Sequence, residues 1–289
     1  MQSAFLQTFK PENYFCSASL SARAFSSATS SSVSQAEVHK FSEFSKTWWD
    51  PRQNPLIGMN AVRVGYIVDQ IRKVGSDGSA PQQSPPLHAL KALDVGCGGG
   101  LLSESLARLG ANVTAVDPST ELVKQAQQHA ILDPKTQTID YRGGCTVEEL
   151  AREKFSHSSD DDGLYDVICL LEVIEHVTDI PAILNAAHSL LKPDTGRLFV
   201  STMNRTVKSN LIAIIGAEYV MRYLPPGTHD WNQFRSPAEV QTLMNDAGLE
   251  QVDVQGMIIT SPPIGGKWSW KLDPDDVDVN WIGAYKAKG

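Results

Sequence analysis

Four cysteines in 289 residues, with no C-x-x-C pair among them, exclude a zinc ribbon or a disulfide framework as the basis of this fold. Cys16, Cys97, Cys145 and Cys169 read as reduced thiols of an intracellular protein. Long apolar runs are also missing: nothing approaches the roughly 18 residues of a spanning helix. Positive charge is in deficit, with 25 Lys and Arg against 33 Asp and Glu and a net charge of −8. That balance argues against a chain-wide affinity for nucleic acid. No internal repeat is visible, and a hydrophobic content of 42% is ordinary for a globular core.

The first 35 residues lack acids apart from Glu12 and lack any continuous apolar stretch of a secretory signal. They are rich in Ser and Ala and carry Lys10 and Arg23. This composition suits a transit peptide of mitochondrion or plastid, a disordered tail being the plainer alternative. Folded structure is expected over 37–289 as a single domain. Phe41, Phe44 and Trp48 fall on one helical stripe that Trp49-Asp50-Pro51 stops. A second helix is predicted over 60–73, and 75–86 reads as a linker.

What the chain does have is Leu93-Asp94-Val95-Gly96-Cys97-Gly98-Gly99-Gly100, followed by Leu101, Leu102 and Leu106. The pattern predicts a buried strand, a glycine turn and a helix. Glycines at 96, 98 and 100 remove Cβ atoms where a ligand would lie, and the new helix aims its free N–H groups there. Val113–Val116 predicts the next strand, ending in Asp117, whose carboxylate suits the two hydroxyls of a ribose. A dinucleotide fingerprint would need glycine at 101 or 103, where Leu101 and Ser103 stand, which disfavours a nicotinamide oxidoreductase.

Further strands are predicted at 139–142, 165–171, 196–202, 252–259 and 281–286, with helices between. The alternation implies a parallel sheet with right-handed crossovers. Asp160-Asp161-Asp162 reads as a solvated loop rather than a metal site. The fourth strand ends in Leu171-Glu172-Val173-Ile174-Glu175-His176, on the edge of the sheet where ligands bind. A helix over 172–178 would gather Glu172, Glu175 and His176 on one face. Two carboxylates and an imidazole suit Mg²⁺, Mn²⁺ or Zn²⁺. The alternatives are a helix start capped by Glu175 and His176, and His176 as a metal-free general base. Arg63 reads as a surface charge or as a clamp for an amino-acid carboxylate.

D-x-G-x-G-x-G at 94–100 resembles motif I of the Rossmann-like S-adenosylmethionine (AdoMet) methyltransferases. Together with E-V-I-E-H-V at 172–177, S-T-M-N-R-T-V-K-S-N at 201–210, G-A-E-Y-V at 216–220 and P-P-G-T-H-D-W at 225–231, the chain resembles the UbiG-type O-methyltransferases of ubiquinone biosynthesis over 37–289. The resemblance implies a class I methyltransferase fold, α/β, with a mostly parallel seven-stranded sheet covered on both faces. It implies AdoMet contacts at Arg63, Gly96, Gly98, Asp117 and Leu171. It further implies a divalent ion, Mg²⁺ before Zn²⁺ or Mn²⁺, on Glu172, Glu175 and His176, residues that also carry catalysis. Asn204, His229 or water would complete the ligand set. The implied substrate is a polyprenylated catechol, either a dihydroxybenzoate or a demethylubiquinol. With a transit peptide, the implied place is the matrix side of the mitochondrial inner membrane, peripherally bound and in a multi-enzyme complex. An apolar insertion over about 206–226 would face membrane or substrate. A metal-dependent methyltransferase acting on another small molecule or on an RNA hydroxyl is the rival reading, and a non-catalytic AdoMet-like scaffold is a weaker one.

Overall fold

The computed structural model describes residues 32–74, 85–157, 163–212, 230–264 and 267–289. Its centre is the strand β1 (Lys91–Val95), flanked by β2 (Asn112–Asp117) and β4 (Val167–Leu171). β3 (Asp140–Gly143) lies outside β2, and β5 (Arg197–Met203) outside β4. These five strands are parallel. Three antiparallel strands extend the sheet: β8 (Asn280–Ala287), β6 (Leu249–Ile264) and β7 (Lys267–Asp273), in that spatial order.

The sheet therefore has eight strands rather than the expected seven. The addition is β7, which pairs with a β6 that runs on to Ile264. The predicted strand ends at Ile259, whereas the pairing with β7 shifts register there and continues to Ile264. The alternation Trp268-Ser269-Trp270-Lys271-Leu272 carried the signal for β7.

Strand residues alternate between two cores. Ile168, Leu170, Leu198 and Val200 pack with α5 (Val147–His157), α6 (Ile180–Ser189) and α8 (Pro237–Asp246). Val167, Cys169, Leu171 and Phe199 pack with α2 (Leu56–Arg72), α3 (Leu101–Arg108) and α4 (Thr120–Ala130). β4 is apolar at every position because both of its faces are covered. Caps set the helix starts. Ser119 accepts from Leu122 N at 3.2 Å, and Asp179 accepts from Ala182 N at 3.0 Å.

Order begins before Glu37. Ser32 is buried, its carbonyl accepts from Thr178 N at 2.8 Å, and Val33 bridges Val177. The helix α1 (Gln35–Glu43) follows, then a 3-10 turn over Phe44–Thr47. α2 starts at Leu56, four residues before the predicted position, behind Pro55. Past β5 a helical turn, α7 (Val207–Ser209), opens the predicted insertion, and coiling continues to Ile212. The rest of the insertion and nearly all of the Ser/Ala-rich leader lie outside the described residues. Among the described residues, no helix is long and apolar enough to cross a membrane.

Candidate active site

Strand order reverses between β1 and β4, so their carboxyl ends open a crevice. A cavity of about 270 Å³ lies there, near the lower end of the roughly 300–1,000 Å³ usual for small-molecule sites. Arg63, Gly96, Gly98, Asp117, Leu171, Glu172, Glu175 and His176 all line it. The structure thus brings together the residues singled out for AdoMet and for catalysis, whereas Asn204, a candidate fourth metal ligand, is not among the lining residues.

The glycine turn has φ of +70° at Gly96 and +53° at Gly98, where a side chain would be strained. A methyl on Gly96 would also come within 2.7 Å of Val173. Asp117 closes the turn from the next strand: its Oδ2 accepts from Gly98 N at 2.9 Å and its Oδ1 from Ser119 N at 2.7 Å. Burial pushes Asp117 up to about 6 despite these two N–H groups. Each carboxylate oxygen keeps a lone pair, the property a ribose diol needs. Asp94 behind it accepts from Ser103 Oγ at 2.5 Å, and burial, with the Asp117 charge added, pushes it up to about 7.

Arg63 is 4% exposed on α2. Its Nη2 lies 2.8 Å from Glu172 Oε1, and its buried Nε–H has no hydrogen-bond partner. A buried guanidinium with an unused donor fits an anionic group such as an amino-acid carboxylate. Asn60, one turn earlier on the same face, also lines the cavity. Leu171 is buried at the end of β4.

The expected helix over 172–178 is not formed. Glu172 sits at φ +56°, and only Ile174–His176 coils, as a single 3-10 turn. The three proposed ligands therefore diverge instead of sharing a helical face. Glu172 Oε1 is held by Arg63 and accepts from Ser201 Oγ at 2.6 Å. His176 Nδ1 meets Glu37 Oε2 at 2.8 Å, and the Phe41 ring packs edge-on at 4.7 Å. Among the described residues, no group of three His, Cys, Asp or Glu is placed to hold a metal ion. The donor chemistry suits a hard cation, but the arrangement does not fit one. Asn204 is buried with Oδ1 lacking a partner, and His229 lies outside the described residues.

Glu175 remains as the unsatisfied acid. It is 3% exposed, its Oε2 is buried without a partner, and burial plus the Glu172 charge push it up to about 7. Burial works to lower the pKa of His176, but the Glu37 hydrogen bond and the Glu175 charge outweigh it and raise the value. Glu37 had no sequence signal. It reaches His176 across 139 positions of chain, and only tertiary structure pairs them.

A family model described as a methyltransferase domain matches residues 66–254. The fold is similar to a magnesium protoporphyrin IX methyltransferase from Synechocystis with bound SAM. That likeness has a TM-score of 0.52 at 19% identity and covers 89% of this chain and 100% of the other. The protein is a class I AdoMet-dependent methyltransferase. The chain is 42% identical over 253 residues to the ubiquinone biosynthesis O-methyltransferase of Azorhizobium caulinodans, covering 86% of this chain and 92% of that protein. To the protein of the same description from Cereibacter sphaeroides it is 43% identical over 262 residues, covering 89% and 98%. It belongs to the family of ubiquinone biosynthesis O-methyltransferases.

Proposed function

We propose that this enzyme moves the AdoMet methyl group to a catechol hydroxyl of a polyprenylated dihydroxybenzoate or demethylubiquinol. The carrying observation is that the Glu172–His176 turn opens into the same cavity as the glycine turn, Asp117 and Arg63. One cavity thus holds groups suited to the cofactor and an acid suited to a phenol. Asp117 orients the ribose and Arg63 takes the carboxylate. A free phenol has a pKa near 10 and is a poor nucleophile at neutral pH. Glu175, poised near 7 and lacking a partner on Oε2, takes the phenolic proton. Positioning of oxygen and methyl in line supplies the rest.

A second reading is favoured by that same orphaned oxygen. A divalent ion on Glu172, Glu175 and His176 would give it a partner and would lower the phenol pKa when bound. Glu37 on His176 Nδ1 would then serve as the outer carboxylate that orients the imidazole. The test is methylation of a short-tailed prenyl dihydroxybenzoate before and after chelation. Loss on chelation with recovery on adding Mg²⁺, Mn²⁺ or Zn²⁺ selects the metal reading, and an indifferent rate selects a metal-free general base, Glu175 or His176. No methylation of this acceptor overturns the substrate assignment.

The polyprenyl tail is supported by the entry to the insertion, where Val207, Leu211 and Ile212 are 74%, 53% and 41% exposed. Apolar side chains presented this way suit a bilayer surface. The leader composition supports import into an organelle, and the family resemblance supports the mitochondrion, peripheral placement on the inner membrane and the company of other enzymes of the pathway. A reporter fused to residues 1–35 would test the address, and retention in the cytosol would discard it.

A further inference from the structure

Trp48 forms a wall of the cavity that the scheme above does not use. Its indole lies against the backbone of the glycine turn. A methyl built on Gly98 would come within 2.3 Å of Cζ2, and one on Gly99 within 2.4 Å of Cδ1. Only glycine at both positions lets the ring settle there. The segment carrying the ring is tied down on either side. Asn54 Nδ2 donates to the Trp48 carbonyl at 2.8 Å, and Trp49 Nε1 donates to the Gly99 carbonyl at 3.1 Å. Trp49 also stacks on His129, with centroids 3.6 Å apart and planes within 8°. The Trp48 Nε1–H is itself buried without a partner.

AdoMet joins its ribose to its carboxylate through a sulfonium. With the ribose at Asp117 and the carboxylate at Arg63, the sulfonium must cross the stretch between them. That stretch is Gly96–Gly98, whose last member donates to Asp117 and carries the Trp48 ring. We infer that Trp48 is a cofactor-recognition residue whose indole face attracts the sulfonium and so separates AdoMet from its neutral product, S-adenosylhomocysteine. Indole is the best aromatic partner for a cation, and the attraction grows when water is excluded. During transfer the S–C bond breaks with its electron pair left on sulfur, and a phenolate lone pair forms the new O–C bond. Sulfonium and phenolate become thioether and ether, both neutral. The attraction to Trp48 disappears with the charge, which favours release of product.

The inference rests on the cofactor placement proposed above, and calorimetric titration of the full chain with both ligands separates the two. Trp48→Leu should weaken AdoMet by about 5- to 30-fold while leaving S-adenosylhomocysteine within about twofold. Trp48→Phe, which keeps an aromatic face, should show the same selectivity with a smaller loss, and it carries the test if the Leu variant fails to fold. Product inhibition should become stronger relative to AdoMet affinity in both variants. Equal losses for the two ligands, or none, would overturn the role of Trp48 and leave the placement standing. A wild-type chain that binds neither ligand would overturn the placement as well.

Discussion

Arg63 Nη2 lies 2.8 Å from Glu172 Oε1, an ion pair in which the two side chains are 5% and 14% exposed. It joins α2 to the end of β4 and so holds the proposed cofactor and acceptor sides of the cavity together. Removing one partner of a buried pair leaves the other charge without compensation. Arg63→Ala should therefore lower stability by about 3 kcal/mol in urea denaturation and abolish detectable AdoMet binding. Stability within error of wild type would show that the pair is incidental.

Asp117 takes one backbone N–H on each oxygen. Asparagine can accept only one of them and turns an amide donor toward the other. Asp117→Asn should destabilise the fold by about 1–3 kcal/mol and weaken AdoMet more than tenfold. If affinity survives the change, the ribose does not sit on this carboxylate.

Asp94 has a pH signature. Burial, then the Asp117 charge, lift it from 3.8 to about 7, against the Ser103 hydrogen bond. The folded chain thus binds this proton more tightly than the unfolded chain does. Its contribution to stability is complete below 3.8 and is lost as pH rises through about 7. Denaturant melts between pH 4 and 8 should show stability falling across that window, and Asp94→Asn should flatten the fall. Parallel profiles for the two proteins would refute the assignment.

Glu175 is the acid to remove if the chemistry is as proposed. Glu175→Gln should keep the AdoMet dissociation constant within about twofold and cut turnover by about 100-fold or more. A variant near wild-type rate would release both the base and the metal readings.

Leu211 and Ile212 stand exposed where the insertion begins. The double change Leu211→Glu, Ile212→Glu should lower flotation with anionic liposomes while leaving AdoMet binding unchanged. Equal flotation would discard a lipid-facing role for this segment.

The linear order of residues was enough for the parallel sheet, the glycine turn and the crevice they open, whereas Glu37, Asn60 and Trp48 join its lining only in the folded chain. Periodicity exposes β1, β2 and β4, and three glycines alternating at 96, 98 and 100 between a strand and a helix mark a close backbone approach. Asp117 was legible because a strand of known length ends on it. β7 went unpredicted although Trp268-Ser269-Trp270-Lys271-Leu272 alternates, because a short strand at the sheet's end is paired only by the fold. The Glu172–His176 turn was misread because helical spacing was assumed where Glu172 adopts a left-handed φ.

Sequence by itself determined that the glycine turn, Asp117 and the Glu172–His176 stretch reach the crevice, since strand ends and the glycine turn are local consequences of pattern. Tertiary structure alone decided how those side chains are spent. Arg63 lies with Glu172, Glu37 with His176, and Trp48 on Gly98 across tens to more than a hundred positions. Such pairs form because burial leaves each charge and ring in search of a partner, and only the packed chain fixes which partner is near.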